Sequence, residues 1–421
     1  MKGLLGRAQR YRLLHGNLAA AALAAASPVF AEPAPPFPEL LKQTINAPRR
    51  AVFDAEVDRA RGLSAQARTR PNPNLSLTTE NILGQSPYGG LNRAETTLQV
   101  NQPLELGGKR SARMAAGDAG VRAAAARATE GKLNYAYELA KAYGTAETAE
   151  RRISLAEDDV EEAQEDLRAA RALVAAGKEA RLRSLQAQSE VTALQAELDS
   201  ARANRIAALS QLSAIAGVAE PYTGISAPLL GRRERVIETT VDPRRTASVL
   251  VAEAERELAL RRVAVERKRA IPDVTASLGV RRLEIEKTHA VVAGVSLPLG
   301  LFDRNRGNIA AAQAELRAAE ARVAAAQLEA EGEIRTATGQ VDAANARAAA
   351  AEASLRIAQE TYRLARIGYE SGKSPLIELI AARRGVGQAR GVVLDAEKAQ
   401  FEARAALARL QGRTVTGEPV Q

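Results

Sequence analysis

Hydrophobic residues recur along this chain with two different periods, and the places where one gives way to the other organise the rest. From His289 to Leu297 the pattern alternates, with His289, Val291, Ala293, Val295 and Leu297 on one side and Ala290, Val292, Gly294 and Ser296 on the other. A period of two predicts a strand. Beyond Asn308, apolar residues return at intervals of three and four for roughly sixty residues, which predicts a long helix. The junction, Leu297 to Asn308 (LPLGLFDRNRGN), holds Pro298, which cannot donate to a ladder, Gly300, which loosens the backbone, and Asp303, which is placed to cap the helix. The same transition occurs around Pro103, in Val100 to Gly108. Pro103 and Pro298 lie 195 residues apart, as do the Gly177-Lys178 and Gly372-Lys373 pairs downstream, so the chain is an internal duplication.

Taken in order, residues 32–73 read as an extended Pro-rich lead-in followed by one short and one longer helix, divided at Pro48. Residues 74–102 form a first strand pair around a Gly, Pro and Ser-containing loop, and 103–216 a first helical hairpin whose outgoing arm runs from about Lys109 to Ala176. At 1.5 Å per residue that arm is roughly 100 Å long. Val160, Ala163, Leu167, Ala170 and Val174 make its distal seam, facing Val191, Leu194, Leu198 and Ala201 on the returning arm. Residues 217–272 are a connector, expected to pack on the middle of the helices, and a further helix. A second strand pair at 273–297 and a second hairpin at 298–410 repeat the plan, and 411–421 is expected to be a disordered tail. In the second outgoing arm the seam gains an extra four-residue step between Ala330 and Ile334, a stutter that unwinds a supercoil and keeps helices straight.

Composition narrows the class. Aromatics are 3% of 421 residues, Trp is absent, and Ala supplies much of the 46% apolar content, which suits closely packed long helices better than an enzyme core. No GxSxG, P-loop, HExxH or repeated carboxylate dyad is present, so the chain reads as a non-enzyme with no cofactor. The first 31 residues have the basic start, short apolar run and Val29-Phe30-Ala31 cleavage site of a secretory signal; removing its four basic residues would lower the net charge from +9 to +5. That excess is interspersed with Glu and Asp, as on a solvated helix face, and gives no nucleic-acid surface. Cys is absent and the only histidines are His15 and His289, so no metal site is expected in the subunit itself. No apolar stretch reaches the ~20 residues of a spanning helix, so membrane insertion requires a β-barrel. Four strands cannot close one. Three copies would supply twelve, joined to a hollow cylinder of helices.

The signal, two strand pairs, two long hairpins and the stretch Ser296-Leu297-Pro298-Leu299-Gly300-Leu301-Phe302-Asp303-Arg304 through Ile309 resemble the TolC-like outer membrane efflux proteins. Within them the chain looks most like the outer membrane component of heavy-metal cation efflux systems. The fold class implied is mainly α with a membrane β-barrel part, as a homotrimer in outer membrane lipid that reaches into the periplasm. The partners implied are a periplasmic adaptor protein and an inner-membrane pump of the resistance-nodulation-division type. A type I secretion or multidrug conduit would share this architecture and stays open.

The resemblance makes the hairpin tips, Gly177, Lys178, Gly372, Lys373 and Ser374, adaptor-docking positions, although Gly alone would also serve as a helix C-cap. It also points to a periplasmic gate. Glu378 and Arg183 each stand six residues past their glycine, where opposite charges could pair between neighbouring helices or merely be solvated. Pro103, Pro298, Phe302, Asp303 and Arg304 are expected to have structural work at the strand-to-helix transitions. Some relatives carry an acylated N-terminal Cys, which this chain lacks.

Overall fold

The computed structural model describes residues 32–85, 88, 90–231 and 241–418, so the signal reading lies outside the described residues. A short helix, α1 (Phe37–Gln43), and a longer one, α2 (Pro48–Ala67), lead into strands β1 (Asn74–Glu80) and β2 (Glu95–Leu104). The first hairpin is α3 (Lys109–Ala175) and α4 (Arg181–Ala216). After the connector come α5 (Ala247–Arg269), β3 (Val274–Leu283), β4 (Thr288–Ser296) and the second hairpin, α6 (Arg306–Glu370) and α7 (Leu376–Leu410).

The two strand pairs are not separate. All four strands form one antiparallel sheet in the order β1-β2-β3-β4, because β2 pairs with β3 along its whole length, from Glu95 opposite Leu283 to Leu104 opposite Val274. Register places Leu75, Leu77, Leu98, Val100, Leu278, Val280, Val291 and Val295 on one face, and all eight are exposed. The opposite face is mostly small or polar, with Val292 and Leu283 as its larger apolar residues. Its charged residues, Glu80, Glu95 and Arg281, meet at the end remote from the helices, with Arg281 2.9 Å from Glu95 and 3.4 Å from Glu80.

Two sequence expectations change at the junctions. Pro103 does not interrupt its strand: it pairs with Thr275, and β2 continues one residue further. Asp303 does not cap α6. Its carboxylate accepts from the Asn305 backbone N–H at 2.8 Å, tightening a turn, and Asn305 takes the N-cap position with φ of 56° and no side-chain cap. Phe302 is 99% exposed, so no contact within its own chain explains it.

The main core clamps the middle of α3. Phe37, Leu40, Leu139, Tyr143, Leu212 and Phe401 bury together, with the Phe37 and Tyr143 rings edge to face at 6.0 Å. Gly144 lets Phe401 of α7 come close, since a Cβ there would lie 2.8 Å from the ring. The connector lies across this core as expected. Tyr143 donates to the Ala227 carbonyl at 2.7 Å, and buried Glu147 accepts from the backbone N–H groups of Leu229 and Leu230 at 2.6 and 3.0 Å. Residues Gln411 to Glu418 do not trail away. Thr414 is buried, Val415 packs on the core, and the Arg413 and Glu418 backbones close turns onto Ala408 and Thr414, because Gly412 at φ +73° reverses the chain.

Leaving two buried N–H groups without an acceptor costs about 1–3 kcal/mol each, so Glu147→Ala should release the connector. Limited proteolysis should then cut within residues 217–243 faster than in the parent chain, with Glu147→Gln intermediate; unchanged cleavage would show that the clamp does not depend on this carboxylate.

Candidate functional site

Both hairpins end in the same turn, built by the same chemistry. In the first, Lys178 N–H donates to Leu173 O at 2.9 Å and Gly177 N–H to Val174 O at 3.1 Å; in the second, Lys373 N–H donates to Gly368 O at 2.8 Å and Gly372 N–H to Tyr369 O at 2.9 Å. These are Schellman caps, which need a left-handed residue. Gly177 and Gly372 supply it at φ of +68° and +71°, and open space surrounds both. Glycine is thus fixed by backbone conformation rather than by crowding. Lys178 and Lys373 are exposed, and Ser374, half-buried, adds a third bond to Gly368 O.

One chain does not pair Arg183 with Glu378. Arg183, in the first turn of α4, has Glu179 4.0 Å away and donates to Gln186, which offsets its poor match to the positive end of the helix. Glu378, exposed in the first turn of α7, matches its helix end.

Sequence reading missed the ion pairs that join the hairpins above the tips. Nearly buried Arg383 of α7 reaches Asp166 of α3 at 2.8 Å, Arg384 pairs with Glu190 of α4, and Arg390 approaches Asp158 and Glu162 at 3.9 and 4.0 Å. Ala163, Asp166, Ala187, Glu190, Ile377 and Arg383 line a cleft of about 260 Å³ there. A signal did exist. At the repeat-equivalent positions, 195 residues away, α6 has Ala353, Ser354, Ile357 and Thr361 where α3 has Asp158, Asp159, Glu162 and Asp166. Likewise α4 has Gln188, Ser189 and Gln195 where α7 has three arginines. The complementary charges thus join α7 to the first hairpin, to α3 through Arg383 and Arg390 and to α4 through Arg384, and are not repeated at these positions 195 residues away.

Among the described residues no group of three His, Cys, Asp or Glu side chains is placed to hold a metal, and no helix is long and apolar enough to cross a membrane. What the arrangement offers is a long helical wall carrying a sheet with one apolar face.

The model of the family described as outer membrane efflux protein matches residues 44–218 and 244–413, which takes in both repeats. The chain belongs to the outer membrane efflux protein family. It is 42% identical over 394 residues to the nickel-cobalt-cadmium resistance protein NccC of Alcaligenes xylosoxydans xylosoxydans, covering 93% of this chain and 90% of that one. It is 44% identical over 291 residues to the nickel and cobalt resistance protein CnrC of Cupriavidus metallidurans, covering 67% and 69%. In fold it is similar to the Campylobacter jejuni CmeC outer membrane channel, with a TM-score of 0.77 at 15% identity, over 91% of this chain and 87% of that one. As a member of an efflux family rather than an enzyme family, it is an outer membrane channel component extending into the periplasm.

Burial pushes the Asp159 carboxyl above its usual range, Glu162 and Asp158 push the same way, and Arg390 and Arg383 oppose. Burial also raises Asp166, outweighing Arg383. A carboxyl raised on folding contributes stability that is complete below its unfolded value of 3.8 and is lost as pH rises through the folded value. Asp159→Asn should therefore raise the thermal unfolding temperature at neutral pH, with a gain that fades as pH falls towards 3.8. Equal gains at both ends, read by circular dichroism, would contradict this assignment.

Proposed function

We propose that three copies of this chain close one barrel in the outer membrane, continued by a cylinder of helices through which divalent heavy-metal cations leave the periplasm. One imbalance in the packing carries the reading. Across the boundary between repeats, β2 pairs with β3, and α3 packs against both α5 and α7. Duplication makes β4, β1, α6, α2 and α4 the equivalents of β2, β3, α3, α5 and α7. The matching contacts are then β4 with β1, α6 with α2 and α6 with α4, and a single chain makes none of them as a packed interface among the described residues. A neighbouring copy would supply all three at once. Such a head-to-tail contact closes into a ring, and three sheets of four strands give a barrel within the known size range.

The cargo, which the channel passes outward, is inferred from the resistance names of NccC and CnrC. The tips, with exposed Lys178 and Lys373 beside the cleft at Arg383, are the docking end for a periplasmic adaptor, which links the channel to a resistance-nodulation-division pump. Expression in a strain lacking its own copy should restore growth on nickel or cobalt, and Gly372→Pro should abolish that rescue while leaving oligomers intact. Full rescue by the proline variant would remove the docking role.

Arg183 and Glu378, which do not meet within one chain, are proposed to pair between hairpins of neighbouring copies and hold the periplasmic mouth closed. Glu378→Arg should leak ions at rest in planar bilayers, and adding Arg183→Glu should restore closure. A double exchange that leaks as much as the single change would leave both as solvated charges.

A further inference from the structure

The internal repeat determines more than the existence of a seam between copies. It determines the register. Asn101 of β2 and Ser296 of β4 are equivalent, 195 residues apart, so their partners within the chain, Asn74 of β1 and Thr275 of β3, are equivalent too, 201 apart. Across the repeat boundary Asn101 faces Ser277 and Val100 faces Leu278. Moved by one repeat, these pairs become Ser296 opposite Ser76 and Val295 opposite Leu77. We propose that β4 of one copy pairs with β1 of the next in this register, Ser296 facing Ser76; the inference rests on the barrel reading above.

Two further observations fit it. Gln102, Pro103 and Leu104 belong to β2 only through β3, since β1 ends opposite Asn101. Their equivalents are Leu297, Pro298 and Leu299, which in a single chain lie just past the end of β4, with Leu297 and Leu299 exposed. A ladder residue without its partner strand falls outside the ladder. In the assembly β4 lengthens through Leu299, and Pro298 is tolerated there as Pro103 is opposite Thr275. The same register carries Phe302 to the neighbouring copy's Arg70. Its equivalent, Gly107, lies so close to Ile271 that an added Cβ would sit 2.4 Å from it, and Arg70 is the residue equivalent to Ile271. Phe302 is 99% exposed, whereas Phe37, Phe53 and Phe401 pack in the core of their own chain. The register gives Phe302 a surface to cover. Face matching is kept throughout, because Val295 and Leu77 both belong to the apolar side and Ser296 and Ser76 to the polar side.

Directly opposed strand residues have Cα atoms about 4.5–5.5 Å apart, within disulfide reach, whereas a slip of two residues adds about 7 Å along the strand and puts them out of reach. The chain has no Cys, so introduced pairs report without background. The full-length variant Ser76→Cys with Ser296→Cys, expressed, exported and oxidised, should run as covalent species of up to three chains on non-reducing gels. Asn74→Cys or Thr78→Cys combined with Ser296→Cys should remain single chains. Asn101→Cys with Ser277→Cys, opposed within one chain, serves as the bond-forming control. Cross-linking by a displaced pair in place of Ser76 would overturn the register and leave the barrel standing. Absence of interchain bonds in every pair, with the control oxidised, would overturn both.

Discussion

For the proposed barrel, an open sheet in lipid is the constraint on which the rest depends. The strands leave β1 and β4 with one unpaired edge each, and in hydrocarbon every unpaired N–H or C=O costs several kcal/mol. Eight large apolar side chains on one face are exposed to whatever surrounds the sheet, while the other face is mostly small or polar and holds the Glu80, Arg281 and Glu95 cluster. The proposed closure with other copies satisfies the edges and the two faces together. The paired helices then follow, since each strand pair launches a helix of 67 or 65 residues and a closed ring of strands sets those helices in a ring as well.

Small residues let the helices pack closely. Ala at seam positions such as Ala163, Ala170, Ala319, Ala337, Ala344 and Ala351 keeps the arms close, and glycine at 144 admits a ring from α7 where any side chain would collide. The connector tied to Glu147 holds the two hairpins together near mid-length, and the Asp166 to Arg383 and Glu190 to Arg384 pairs hold them nearer the tips. The positions equivalent to Asp166 and Arg383 are Thr361 and Gln188, so the proposed seam between chains lacks the ion pair that the seam within a chain has.

Much of this was legible in the sequence because it is local or periodic. Strand alternation, helical seams, the glycine stops at 177 and 372 and the 195-residue repeat all survive in the structure, since each reflects backbone geometry acting over a few residues. What was missed depends on contacts between distant segments. Arg383 and Asp166 are far apart in sequence, so no local period reveals them; subtracting one repeat from the other does. Thr414 and Val415 looked like a loose tail because the core that receives them belongs to α3 and the connector. Asp303 has a capping residue's chemistry, but Asn305 in a left-handed conformation moved the helix start two residues beyond its reach. The place of Phe302 at a change of period points to a structural role, but a period carries no information on contacts, and the ring is 99% exposed in its own chain.

In the proposed barrel this sheet stands between lipid and water with its apolar face outward. Single cysteines placed in turn along β2, from Leu98 to Asn101, test this directly against a membrane-impermeant thiol reagent applied to the channel in vesicles. Labelling is expected at 99 and 101, which share the polar face, and protection at Leu98 and Val100. Uniform labelling, or protection with the opposite phase, would contradict it.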